Sequence, residues 1–143
     1  MFSAYIRIRD AFETTGALDE CECVTCGRKK PLFRTHDSIQ AGHFIPGRHN
    51  AILFDERGCH GQCAYCNDHL KGNWVPYLKF MQARYGQAVV DELMARDKES
   101  VSWKTYELEE LQAELRVKIR AVVDTCPMQT PDAVLRKMKE LKV

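Results

Sequence analysis

Apolar residues recur at steps of three and four along Leu108, Leu111, Leu115, Ile119 and Val122, which marks one face of a helix. Thr105 is the predicted N-cap, and Glu107 and Glu109 in the first turn favour the helix dipole. Glu114 and Lys118 add an i,i+4 pair. A further helix is expected from Thr130-Pro131-Asp132, a cap followed by proline, with Val134, Met138 and Leu141 on its apolar face. Trp74, Leu78, Met81 and Tyr85 predict an earlier helix stopped by Gly86. Phe2, Ile6 and Phe12 predict a short N-terminal helix ending near Thr15-Gly16. Ile39–Ile45 alternates as a strand does, Ala51–Phe54 can be its hairpin partner, and the segment from Ala64 onward can be a helix. Such helical stripes bury themselves in a core or a dimer seam.

The spacing divides the chain into an N-terminal helix (1–20), a cysteine-rich core (21–86) and a helical C-terminal region (87–143), which together make a single compact domain. A chain of 143 residues suits one domain. Its 45% apolar content excludes wholesale disorder. No apolar run approaches the roughly 18–20 residues of a membrane span. Arg7 and Arg9 break up the N-terminus, which argues against a secretory signal, so a cytoplasmic location is expected. The 21 basic and 20 acidic side chains leave a net charge of +1, and bulk charge carries no signal for nucleic acid.

The seven cysteines change the picture. An odd count without an export signal favours reduced, metal-binding thiols over a disulfide framework. Two C-x2-C pairs occur, Cys23/Cys26 and Cys63/Cys66. Each puts two sulfurs on one tight turn, and two pairs can close a tetrahedron around zinc. Gly27 follows the first pair, as such knuckles require. Four thiolate ligands leave no open position, so the zinc is expected to be structural. Cys21 can compete with Cys23, and Cys59 can pair with Cys63. The two x2 pairs are preferred because they share one geometry, leaving Cys21, Cys59 and Cys126 as small buried hydrophobes. Four thiolates and one zinc ion lower the net charge by two, to about −1, so any DNA-binding face must be local.

Between the knuckles run Gln40-Ala41-Gly42-His43-Phe44, Arg48-His49-Asn50 and Phe54-Asp55-Glu56-Arg57. The second knuckle is embedded in His60-Gly61-Gln62-Cys63-x-x-Cys66-Asn67. This combination resembles the ββα-metal, or His-Asn-His (HNH), nucleases, and within them the lambda NinG/Rap family of phage recombination endonucleases. The likeness runs over nearly the whole chain. It implies an α+β fold, a small zinc-stabilised ββα-metal (HNH-like) core with flanking α-helices. It places the general base at His43, with Asn67 facing it as a catalytic residue that binds magnesium or manganese through its amide oxygen. The residue before the base, often a ligand in such sites, is Gly42. Asp55, His60 and His69 are therefore further candidate ligands for the catalytic ion. Gly58 stands where the middle Asn of the signature falls, which removes the usual brace around the base. The resemblance implies branched double-stranded DNA substrates, D-loops and Holliday junctions, in phage recombination. Paired cuts on a symmetric junction favour a homodimer. Two rival readings remain: another phage HNH nicking or packaging-associated endonuclease, and a non-catalytic zinc module that binds DNA or protein.

Residues 28–49 carry Arg28, Lys29, Lys30, Arg34 and Arg48 against Asp37, a local excess of +4. Such a patch suits a phosphate backbone, and charge alone suits a solvated loop equally. Arg48 and Lys71 lie nearest the expected chemistry and are the candidate DNA contacts. Nothing reads as a recognition helix.

Overall fold

Phe2, Tyr5, Ile6, Ile8 and Ala11 are all buried, spread around more than half the circumference of the first fourteen-residue helix. In the computed structural model, which describes residues 1–33, 36–47 and 51–126, this helix is α1, Phe2–Thr15. It ends where Gly16 adopts φ +71° and returns its N–H to the Phe12 carbonyl at 2.9 Å, a turn open to glycine at no steric cost. Helix α4, Thr105–Thr125, lays Leu115, Ile119 and Val123 into the same apolar cluster as Ile6, Ile8 and Ala11. The predicted stripe is thus used for packing onto α1. Lys104 and not Thr105 is the N-cap, and its backbone N–H donates to Glu107 Oε2 at 2.7 Å. Glu114 pairs with Lys118 at 2.7 Å as expected. The helix expected from Thr130 lies outside the described residues.

Two small antiparallel sheets sit beside α1. The first joins β1 (Glu20–Glu22) to β2 (Lys29–Pro31). The second joins β3 (Ile39–His43) to β4 (Cys59–Cys63), with Ile39 opposite Cys63, Ala41 opposite Gly61 and His43 opposite Cys59. Every residue of β4 is buried. The expected hairpin between β3 and Ala51–Phe54 is therefore corrected: residues 51–54 form turns, and the true partner comes later in the chain. The apolar side chains that suggested a strand are used otherwise. Ile52 enters a second apolar cluster with Phe44, Tyr77, Met81, Val90 and Leu93, while Phe54 packs edge-on against Phe2 and Trp103.

After β4 the chain makes one wide turn, Tyr65–His69, with the i→i+5 pattern of a π-helix, in place of the longer helix expected from Ala64. Its Leu70 N–H reaches back to the Tyr65 carbonyl at 3.0 Å. Lys71, Gly72 and Asn73 then follow at φ +51°, +92° and +48°. Helix α2 (Trp74–Tyr85) begins there and stops at Gly86 as predicted, and α3 (Gln87–Arg96) follows at once. Both pack into the second cluster. The result is a small mixed α and β architecture. No helix among the described residues is long and apolar enough to cross a membrane.

Candidate functional site

The two knuckles meet. The sulfurs of Cys23, Cys26, Cys63 and Cys66 all lie within 4.8 Å of one another, with Cys26 and Cys63 at 3.8 Å. A tetrahedral zinc with bonds of about 2.3 Å needs sulfurs just under 4 Å apart. The first knuckle is closed by Gly27 N–H to the Cys23 carbonyl at 2.8 Å and Cys23 N–H to the Arg28 carbonyl at 2.9 Å. Burial works to raise the Cys23 thiol, but hydrogen bonds from the Thr25 hydroxyl and from backbone N–H groups of both knuckles bring it down to about 7. Burial and the neighbouring thiols push Cys26 up to about 12. Four thiolates in this space call for a cation among them, and the cluster can hold a structural metal such as zinc. Cys21, Cys59 and Cys126 lie outside it and are buried. Burial pushes the first two thiols up to about 12, as for inert core thiols.

Beside this cluster opens a cleft of about 900 Å³ whose lining includes Ala41, His43, Phe44, Asn67, Lys71 and Trp74. His43 ends β3. Its Nε2 lies 3.0 Å from the Leu53 carbonyl, which can only accept, so Nε2 carries the proton and Nδ1 of the neutral ring holds a lone pair. The ring stacks on Phe2 with centroids 6.2 Å apart. Asn67 enters the cleft from the wide turn. Strand alternation puts His43 on the face shared with Ala41, whereas Asn67 bonds Gln40 on the opposite face. The two residues nevertheless line one cleft, Asn67 held there from the Gln40 side. Trp74 is 47% exposed at the mouth and stacks nearly parallel on Phe44.

The three other candidate ligands are placed elsewhere. His60 is 2% exposed, with Nδ1 3.1 Å from Asp10 and Nε2 3.2 Å from both the Arg57 carbonyl and the Tyr85 hydroxyl. It ties α1, β4 and α2 together inside the protein. Both oxygens of Asp55 are taken: Oδ1 by Arg57 Nε, and Oδ2 by Arg57 and Arg96 guanidinium nitrogens at 2.8 and 3.1 Å. Burial would raise its carboxyl, but the Arg57 and Arg96 charges hold it below the ordinary range. His69 is exposed against the Tyr65 ring and does not line the cleft. Arg48 lies outside the described residues. The basic run is also partly neutralised, since Lys29 pairs with Glu20 at 3.5 Å and Lys30 pairs with Asp37.

The family described as "Bacteriophage Lambda NinG protein" matches residues 1–124, which contain both knuckles and the whole cleft. The chain belongs to the NinG family. "Protein ninG" of Salmonella phage P22 is 33% identical over 124 residues, covering 86% of this chain and 54% of that protein. "Protein ninG" of Escherichia phage lambda is 31% identical over 119 residues, 82% of this chain and 52% of its own length. This chain thus spans about half the length of these NinG relatives. No solved structure matches.

This finding corrects the resemblance to Rap and HNH recombination endonucleases. Membership is in NinG, whose matched relatives carry only that name, and nothing in it ties the chain to a nuclease of branched DNA or to recombination. In this NinG chain the structure also adds residues that the pattern did not assign. Gln40 and Gln62 both turn into the polar face of the β3–β4 hairpin, where Gln40 Oε1 accepts from Asn67 Nδ2 at 2.6 Å. The one available signal was a glutamine at a paired position on each strand. Gly58 offers no side chain to fix the loop before it. The Asp55–Arg57–Arg96–Glu92 ion pairs and the Ala51 N–H to Glu99 carbonyl bond hold the 51–58 loop that carries the Leu53 carbonyl.

Proposed function

We propose that this chain is a zinc-stabilised module that binds a DNA phosphodiester in the cleft beside the thiolate cluster, and that His43 there serves as base for phosphodiester hydrolysis. The observation that carries the reading is the ring of His43, locked by Leu53 and Phe2 with Nδ1 unprotonated in its neutral form. Lys71 gives the cleft a cation, and the amide oxygen of Asn67 gives it a ligand for a hard ion. Magnesium or manganese, when bound, would supply charge stabilisation at the phosphate. His43 would take the proton of the attacking water, and Lys71 would hold the backbone. In this reading zinc is resident and structural, with one ion per chain.

Binding and cleavage are tested separately. Lys71→Ala should weaken binding to many DNA sequences alike and lower the salt slope by about one, as expected for one lost phosphate contact. Changed base preference with an intact salt slope would remove Lys71 from the backbone. His43→Ala should keep zinc content and DNA affinity while any hydrolysis falls by about 10²–10⁴. Binding without cleavage by the wild-type chain, with either ion, would leave the binding half and retire the hydrolytic half.

A further inference from the structure

One buried side-chain nitrogen or oxygen among the described residues has no hydrogen-bond partner: Oε1 of Gln62, a side chain that is 0% exposed. Its orientation is fixed from outside. Gln62 Nε2 donates to the Gly72 carbonyl at 2.8 Å and to the Thr25 hydroxyl at 3.2 Å, so the nitrogen must face that way and the oxygen must face Gly42. A second amide is fixed by a longer relay. The Asp68 carboxylate can only accept, so Gln40 presents Nε2 to it at 2.8 Å and turns its oxygen to Asn67 Nδ2. That leaves Asn67 Oδ1 directed at Gly42 as well.

The two oxygens converge where residue 42 has no side chain. A Cβ on Gly42 would stand 2.1 Å from Gln62 Oε1 and 3.0 Å from Asn67 Oδ1. Two acceptors turned to one place with no protein donor between them are matched to a cation, or to a water that donates to both, and the experiment below separates the two. We infer that Gln62 Oε1 and Asn67 Oδ1 are joint inner ligands of a divalent ion, with Gln62 reaching across from β4 to supply what position 42 on β3 lacks. Oxygen-only donors select a hard ion such as magnesium or manganese. Both donors are neutral, so the free chain holds the ion weakly, and a phosphate oxygen in the cleft completes its charge and coordination. The inference rests on the cleft being a phosphodiester site, and it assigns the ligand that Asp55, His60 and His69 do not provide.

The test reads the ion directly, without activity. Manganese is titrated into the zinc-loaded, 15N-labelled chain. The side-chain NH2 signals of Gln62 and Asn67 and the backbone N–H of Gly42 should broaden first, and excess magnesium should restore them. Gln62→Met should cut the broadening at Asn67 and Gly42 at least several-fold. That variant also loses the bond to Gly72, so Gly42→Ala is a second probe: it keeps Gln62 but fills the converging space, and it should weaken broadening too. Zinc content and the remaining spectrum report folding of both variants. Sharp signals at all three positions in the wild type, or broadening unchanged in both variants, would overturn the cation site. If DNA affinity measured without added divalent ion still depends on Lys71, that failure leaves the cleft reading standing.

Discussion

A carboxylate that is 5% exposed persists only when its charge is answered, and Asp10 is answered by Arg9 Nε at 2.7 Å and the Gly61 N–H at 2.6 Å, with the His60 ring beside it. Burial works to raise its carboxyl, but bonding to His60 and the Arg9 charge outweigh that and hold it below the ordinary value. A depressed folded pKa contributes stability that is present above the unfolded value, near 4, and is lost as pH falls through the folded value. Asp10→Asn should therefore cost about 3–5 kcal/mol near neutral pH, because Arg9 is left buried without its partner. Urea unfolding of the two zinc-loaded chains at neutral pH reads that cost, because acid strips zinc from the thiolates before this carboxylate titrates. A cost below about 1 kcal/mol would show that the backbone carbonyls of Glu56 and Cys59 satisfy Arg9 without Asp10.

Among the elements, those with a regular apolar period could be read directly. α1 ends at Gly16, α2 at Gly86, and the Leu115–Ile119 face of α4 packs as its spacing demands. β4 could not be read, because the alternation of Cys59-His60-Gly61-Gln62-Cys63 is carried by cysteine, glycine, histidine and glutamine instead of strand-forming apolar residues, and both faces are buried, one against apolar and thiol groups and the other in a polar network. The thiolate pairs were legible from spacing alone, whereas the positions of Asp55 and His60 depend on long-range arginine and aspartate partners that no local pattern encodes. The bend at residues 71–73 was equally hidden. Left-handed backbone at a residue with a Cβ costs on the order of 1–2 kcal/mol, and Lys71 bears it. Lys71→Gly and Lys71→Ala should lose DNA affinity equally, yet the glycine variant should be the more stable by about 1 kcal/mol. Equal thermal stability of the two would mean that the backbone at 71 stores no strain.

Across the whole molecule, the thiolate cluster joins two segments 36 residues apart, and its Cys23, Cys63 and Cys66 are built into the first of two apolar clusters of modest size. Zinc binding in small thiolate sites is worth about 10–16 kcal/mol, while a domain's total stability is about 5–15 kcal/mol. Removing the ion should accordingly unfold the core instead of merely loosening it. Purified chain should carry one zinc, and Cys23→Ser or strong chelation should abolish the cooperative thermal transition. Cys26, the exposed member of the four, gives a chelator its way in. A well-folded chain without metal would show that the apolar clusters suffice.

β4 has no side chain to spare. Cys59 fills core, His60 ties three elements, Gly61 lets the Cys21 sulfur come within 2.9 Å of where a Cβ would stand, Gln62 ties Thr25 to Gly72 and Cys63 joins the thiolate cluster. Five neighbouring codons therefore answer to five different constraints, and no single replacement can trade one against another. As phage lineages diverge and surface positions are rewritten, this pentapeptide should change last.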